Sequence, residues 1–246
     1  MAMKRIVTTA LIAGAIVFSA FLLGRAYIQR SHNAGQVHVT GLGKTDFSSD
    51  LTVWEASFSA ERMDLKTAYA ELESTKAIVR KYLMDQGLRE DEVVFNAVST
   101  QNLTRRLYTD DGDYRGEEFA GYRLGQSLEV KSNNVDLVER ISREVTELLN
   151  QGVNLYSQPP RCYFTGLADL KVQMISKASE DARQRAEMIA QNAGGKLGNI
   201  ASARMGVFQI TGQHSNEDYS WGGTYNTSSR EKTASITVKI TFDVQD

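Results

Sequence analysis

Residues 170–200, LKVQMISKASEDARQRAEMIAQNAGGKLGNI, limit the fold more than any other part of the chain. Leu170, Met174, Ala178, Ala182, Ala186 and Ala190 recur at every fourth position, with Ile175, Ile189 and Ala193 beside them. That spacing predicts a helix of about six turns with one apolar, mostly small stripe. The opposite face carries Lys177, Glu180, Asp181, Arg183, Arg185 and Glu187, several at the i,i+3 or i,i+4 spacing that adds a few tenths of a kcal/mol per pair. A row of alanines lets a helix axis lie close against a sheet, so Ala182 and Ala186 are expected to touch one. Gly194 and Gly195 end the helix, because glycine takes the left-handed conformation after a C-cap without steric cost.

Other helices and strands follow from the same rules. Asp64 is a good N-cap for a helix over residues 65–86 with Leu65, Ala68, Leu72, Val79 and Leu83 inward. Another helix is expected over residues 135–150, capped by Asn133 or Asn134, with Val138, Ile141, Val145 and Leu148 inward. Residues 93–108 and 119–131 read as an antiparallel pair around a polar tip. Short strands are expected over 153–156 and 161–165, broken by Pro159-Pro160, and another over 201–210. Ala234, Ile236, Val238, Ile240, Phe242 and Val244 alternate with polar neighbours, as in a half-buried antiparallel strand. The fold class expected is therefore α+β, a mostly antiparallel sheet with three helices, preceded by one N-terminal transmembrane helix.

That last element comes from residues 6–24, an uncharged run of nineteen following Lys4 and Arg5. At about 1.5 Å per residue it nearly spans a bilayer core of ~30 Å. Two readings stand, an uncleaved signal anchor and an export signal cleaved at Gly24-Arg25-Ala26; the length favours the anchor. The resulting plan is a cytoplasmic segment 1–5, an anchor 6–24, a polar tether 25–36 and a folded domain 37–246. In an N-in orientation the domain faces the periplasm from the inner membrane, or is periplasmic if the signal is cleaved.

Several motifs together resemble the SIMPL-domain family, bacterial envelope proteins also called periplasmic immunogenic proteins. The Ala-rich helix running into Gly194-Gly195-Lys196-Leu197-Gly198 is its strongest mark. Val39-Thr40-Gly41-Leu42-Gly43 is similar to its opening strand, and residues 70–100 to its first helix and strand. Phe119-Ala120-Gly121-Tyr122 and the closing strand 234–244 also fit. The resemblance covers about residues 37–244. It implies an envelope protein without an assigned reaction or cofactor, with some members linked to stress tolerance and some thought to assemble.

Charge excludes a nucleic-acid partner. Of 28 basic and 30 acidic residues, Lys4, Arg5, Arg25 and Arg30 precede residue 37 and no acid does, leaving 24 against 30, a balance that repels phosphate backbones. Cys162 is the single cysteine, so no disulfide forms within the chain, and it is read as a small buried hydrophobe. Gly41-Leu42-Gly43-Lys44-Thr45 lacks the glycine a phosphate loop needs, since His38 stands there; a tight turn after the first strand is expected instead. Asp110, Asp111, Asp113, Glu117 and Glu118 match no calcium-ligand spacing and read as a solvated tip. His32, His38 and His214 sit beside no recognisable catalytic partner. No catalytic, metal or cofactor-binding residue and no small-molecule substrate is assigned.

The function expected is a non-enzymatic, membrane-anchored envelope role through self-assembly or protein contacts, tied by the resemblance to envelope or oxidative stress. The alternative is a hydrolase-like extracytoplasmic enzyme using dispersed carboxylates. The candidate contact is the stretch 211–230, TGQHSNEDYSWGGTYNTSSR, too long for a tight hairpin. Tyr219, Trp221 and Tyr225 there are side chains of the kind enriched at interface hot spots. Two readings are open: a disordered tip whose aromatics fold back on their own domain, or a surface that meets a neighbouring copy in a homo-oligomer.

Overall fold

The Ala-striped segment folds as the longest helix of the chain's computed structural model, which describes residues 13–25, 27 and 35–245. Four α-helices lie among these residues: a segment over 13–25, α1 (Leu65–Asp85), α2 (Val135–Glu144) and α3 (Leu167–Asn192). The strands are β1 (Gln36–Ser48), β2 (Leu51–Arg62), β3 (Val93–Phe95), β4 (Ser99–Tyr108), β5 (Tyr114–Ser132), β6 (Leu155–Ser157), β7 (Arg161–Tyr163), β8 (Lys196–Met205), β9 (Gln209–Gly212) and β10 (Glu231–Gln245). The fold is α+β with mostly antiparallel pairing, in two sheets where one was expected: β1-β10-β8 with β9 beside β10, and β3-β5-β2-β6 with β4 on β5 and β7 on β2. Among the described residues no helix is long and apolar enough to cross a membrane; residues 6–12 of the expected span lie outside them.

The chain divides into two compact units. The first holds residues up to 45, 171–208 and those from 235 onward. Its centre is the alanine stripe: Met174, Ala178, Ala182, Ala186 and Ala190 are all fully buried, whereas Ile189 is exposed. The strand facing the stripe supplies glycines. A Cβ placed on Gly41 would lie 2.0 Å from the Ala178 carbonyl oxygen and 2.5 Å from the Ala182 nitrogen; one on Gly43 would lie 2.3 Å from the Met174 carbonyl oxygen. Gly41 and Gly43 therefore do not make the tight turn that their sequence suggested. They sit within β1, where the absence of side chains lets the α3 backbone approach.

Alternation places Val39, Gly41 and Gly43 on the helix side of β1 and leaves His38, Thr40, Leu42 and Lys44 on its open side. Gln36 and His38 reach Asp243 and Thr241 of β10 by side-chain hydrogen bonds of 3.0 and 2.9 Å. On the helix edge, Asp181 accepts from the Leu42 backbone N–H at 2.8 Å and from Arg185 Nε at 2.9 Å. The Leu42 bond first, and Arg185 second, hold the Asp181 carboxyl below the ordinary aspartate value. A depressed folded pKa means that this contribution is present above the unfolded value of about 3.9 and fades as pH falls through the folded one. In urea melts the stability gap between the native chain and Asp181→Asn should therefore narrow as pH drops from about 5 towards 2; a gap independent of pH would remove the role given to the charge.

The second unit holds residues 46–170 and 209–234. Its core forms where the period-two face of β2 (Trp54, Ala56, Phe58, Ala60) and that of β5 (Leu124, Leu128, Val130) meet the period-3.6 faces of α1 (Ala68, Leu72, Val79, Leu83) and α2 (Val138, Ile141). Each large side chain fully buried there contributes roughly 1.5–3 kcal/mol. Leu65, expected inward, is exposed at the first position of α1. Asp64 caps that helix, accepting from Thr67 N–H at 2.8 Å, and Asn134 caps α2 through Leu137 N–H. The second helix was expected to run on to 150; it tightens instead into a 3-10 turn over Val145–Gln151 that buries Val145 and Leu148.

Two expected strands are broken. The 93–108 strand divides because β3 and β4 pair with β5 in registers one residue apart. Asn96 at the break bonds Ser127 by backbone and side chain and accepts from Gln126 Nε2 at 2.7 Å. The 201–210 strand starts earlier, at Lys196, and breaks at Gly206, whose N–H reaches the Thr237 carbonyl. Beyond Gly121 the paired strands β4 and β5 continue as a two-stranded ribbon, since β2 pairs with β5 only from Tyr122 onward. Gly121 sits at a bulge with φ +121°, and a Cβ there would meet the Arg62 carbonyl oxygen at 2.7 Å. Only glycine fits that corner.

Candidate functional site

Residues 213–230 are held by polar side chains and by backbone bonds to neighbouring segments. Gln209 donates through Nε2 to the Ser220 carbonyl at 2.8 Å and accepts through Oε1 from Thr224 N–H at 2.7 Å. Ile210 N–H bonds the Thr224 carbonyl, and Asn226 N–H bonds the Ile210 carbonyl, at 2.7 and 2.9 Å. Glu217 accepts from Gly212 N–H and from the Asn226 side-chain amide. Cys162 N–H and Ser49 N–H tie to the carbonyls of Thr227 and Arg230 at 2.7 and 3.0 Å. Most of these bonds satisfy a backbone group that would otherwise face solvent or burial alone. The disordered-tip reading is thereby corrected: the stretch is a structured loop.

At its base the Lys232 side chain is fully buried. Its ammonium donates to the Ser229 carbonyl oxygen and, at 3.5 Å, to Asn226 Oδ1. Burial pushes it below the ordinary lysine value, because a charge in a poorly hydrated site is disfavoured. Cys162 is buried nearby, and desolvation raises its thiol; a raised, buried thiol is an unreactive one. The hub of Gln209, Glu217, Asn226 and Lys232 was missed in the sequence because polar residues in a polar stretch look solvated. One signal was present. Lys232 has the same parity as Ala234, Ile236 and Val238, so the alternation of β10 extended back by one step points it inward.

The three aromatics do not share one environment. Trp221 is 100% exposed and Tyr219 64% exposed. Tyr225, at 43%, packs its ring 6.5 Å from that of Tyr163, and the backbone beside it bridges to Ile210. Burial raises the Tyr225 hydroxyl above the ordinary tyrosine value. Tyr225 thus folds back on its own unit, while Trp221 stands out from a loop whose backbone is fixed.

Comparison with known families matches residues 37–245 to SIMPL, described as a protein of unknown function (DUF541). The chain belongs to the SIMPL family. No curated protein matches it. Gly41 and Gly43 of this SIMPL domain thus have a packing role in β1, and several of its surface acids are engaged by arginines: Glu55 with Arg161, Glu61 with Arg123, Glu117 and Glu118 with Arg106 and Arg105, Asp136 with Arg230. Exposed pairs of this kind contribute about 0–1 kcal/mol each. Among the described residues no three of His, Cys, Asp and Glu come together as a metal site would require. Asp110, Asp111 and Asp113 lie in or beside the turn of the ribbon, where Thr109 organises the backbone through Gly112 N–H and Asp113 N–H.

Proposed function

We propose that this SIMPL protein is a membrane-anchored envelope protein that works by self-assembly, not by catalysing a reaction. The observation carrying this reading is Trp221, a whole indole in water on a loop held by backbone and buried side-chain bonds. Rigid, exposed aromatic area costs little entropy to bury, which makes it suited to a contact between copies. Tyr219, exposed two residues earlier in the same loop, is taken as part of the contact, whereas Tyr225 packs against Tyr163. The helical segment over 13–25 exposes Ile16, Val17, Phe18, Phe21, Leu22 and Leu23, a surface suited to lipid. In this reading it is part of the anchor, the domain faces the periplasm from the inner membrane, and the role lies in tolerance of envelope or oxidative stress. Protease added to spheroplasts should then digest the domain.

The two tryptophans make the assembly testable, because Trp54 is fully buried and Trp221 fully exposed. In the full chain in detergent, acrylamide should quench Trp221 freely when dilute and progressively less as concentration rises, in step with mass from light scattering. Replacing Tyr219 and Trp221 by Ser should return the chain to a monomer. A monomer at every concentration, or an oligomer indifferent to those changes, would sink the reading.

A further inference from the structure

The sheet of the first unit has one face on α3 and one face open, and the open face carries an unusual pair. Lys239 of β10 lies directly opposite Arg204 of β8 in the antiparallel register. Side chains so placed have Cβ atoms about 4.5–5.5 Å apart, and like charges in that position are destabilising. Among the described residues no ion pair neutralises either Lys239 or Arg204, whereas Arg123, Arg161, Arg185 and Arg230 each meet an acid. Both side chains are exposed.

Their neighbours are hydrogen-bonding groups. The next pair on this face of the ladder is Thr241 opposite Ser202, and His38 Nδ1 lies 2.9 Å from Thr241 Oγ1. Thr40 and His38 come from the open side of β1. Together these six residues line a shallow depression of about 360 Å³. The acid on the same face, Asp243, is the next outward position on β10 and accepts from Gln36 Nε2 at 3.0 Å. The depression therefore combines two exposed cations with three hydroxyls and an imidazole. That is the donor set of an oxyanion site: guanidinium for paired oxygens, ammonium as a point charge, hydroxyls for the rest.

We propose that Arg204, Lys239, His38, Thr40, Thr241 and Ser202 bind a phosphate-bearing anion, whose charge relieves the repulsion across the ladder. Two sources share that chemistry, a free phosphate compound and the headgroup of an anionic lipid. The balance of 24 basic against 30 acidic residues over 37–246 argues against a long nucleic-acid strand, which would need many cationic contacts, as the source of the phosphate. This site is independent of the Trp221 surface.

The test follows acetylation of the Lys239 amine by mass spectrometry, with exposed Lys66 as internal reference. In one arm the full chain in uncharged detergent is titrated with inorganic phosphate against chloride at equal ionic strength. In the other it is mixed with phosphatidylcholine bilayers with or without phosphatidylglycerol. Lys239 should slow several-fold relative to Lys66 in at least one arm. Slowing by inorganic phosphate points to a soluble ligand, and slowing only by phosphatidylglycerol points to a headgroup. Arg204→Gln removes a charged hydrogen bond and should raise the half-effective anion concentration about tenfold, while Lys44→Gln should leave it unchanged. No selective slowing in either arm, or a half-effective concentration that Arg204→Gln leaves unchanged, overturns the site.

Discussion

Gly41→Ala will cost about 3 kcal/mol or more, the upper end of what overpacking does, and it will do so by adding a single methyl group. The reason is what that methyl meets. Two of its three nearest neighbours are main-chain atoms of α3, the Ala178 carbonyl oxygen at 2.0 Å and the Ala182 nitrogen at 2.5 Å. A flexible side chain could swing away, but the helix backbone cannot without moving its whole alanine stripe. Adding Ala182→Gly to the variant removes the methyl contact at 2.7 Å and leaves both main-chain conflicts, so little stability returns. Gly222→Ala is the control: nothing lies within 4 Å of a Cβ there, and the change should stay within about 0.5 kcal/mol. Urea melts of the variants decide the matter, and equal midpoints for Gly41→Ala and Gly222→Ala would refute the packing described.

Trp54→Ala will cost about 3–5 kcal/mol, as large-to-small changes at fully buried aromatic positions do. Trp54 lies at 0% exposure in the middle of β2, opposite Val130 of β5. Its indole N–H donates to Ser157 Oγ at 3.0 Å, and that hydroxyl donates to the Ser142 carbonyl oxygen at 3.0 Å. One side chain therefore fills the core and, through Ser157, links β2 to β6 and α2. Trp54→Phe keeps most of the volume and loses the bond, so it should fall well short of the alanine variant. Thermal or urea melts separate the two effects; equal losses for Phe and Ala would mean that the hydrogen-bond chain outweighs packing.

How much of this was legible depended on whether the information was local. The α3 stripe could be read residue by residue because its period is a property of the helix alone, and Ala178, Ala182, Ala186 and Ala190 are all buried as their spacing requires. The caps at Asp64 and Asn134 are equally local. What α3 packs against was not legible, since the partner strand lies more than 130 residues earlier in the chain, and Gly-x-Gly carries the same letters in a turn as in a strand lying against a helix. The break at Asn96 depends on contacts with Ser127 and Gln126, some thirty residues away, that no short window of sequence contains. The aromatic loop was legible as a surface and not as a structure. Its order comes from Gln209, Glu217, Asn226 and Lys232, which meet only when β9 and β10 are in place.

The ribbon beyond Gly121 is built differently from the sheet it leaves. Its rungs are Arg105–Glu118, Arg106–Glu117 and the Tyr108–Tyr114 edge contact, all of them at the surface, and most of its residues are exposed. A two-stranded ribbon without an apolar layer is only marginally stable by itself. Its amides should therefore exchange with solvent through local opening, long before those of β2, because fraying there disturbs none of the Trp54 core. The bulge at Gly121 thus separates two kinetic regimes on one pair of strands, a slow interior and a tip that breathes.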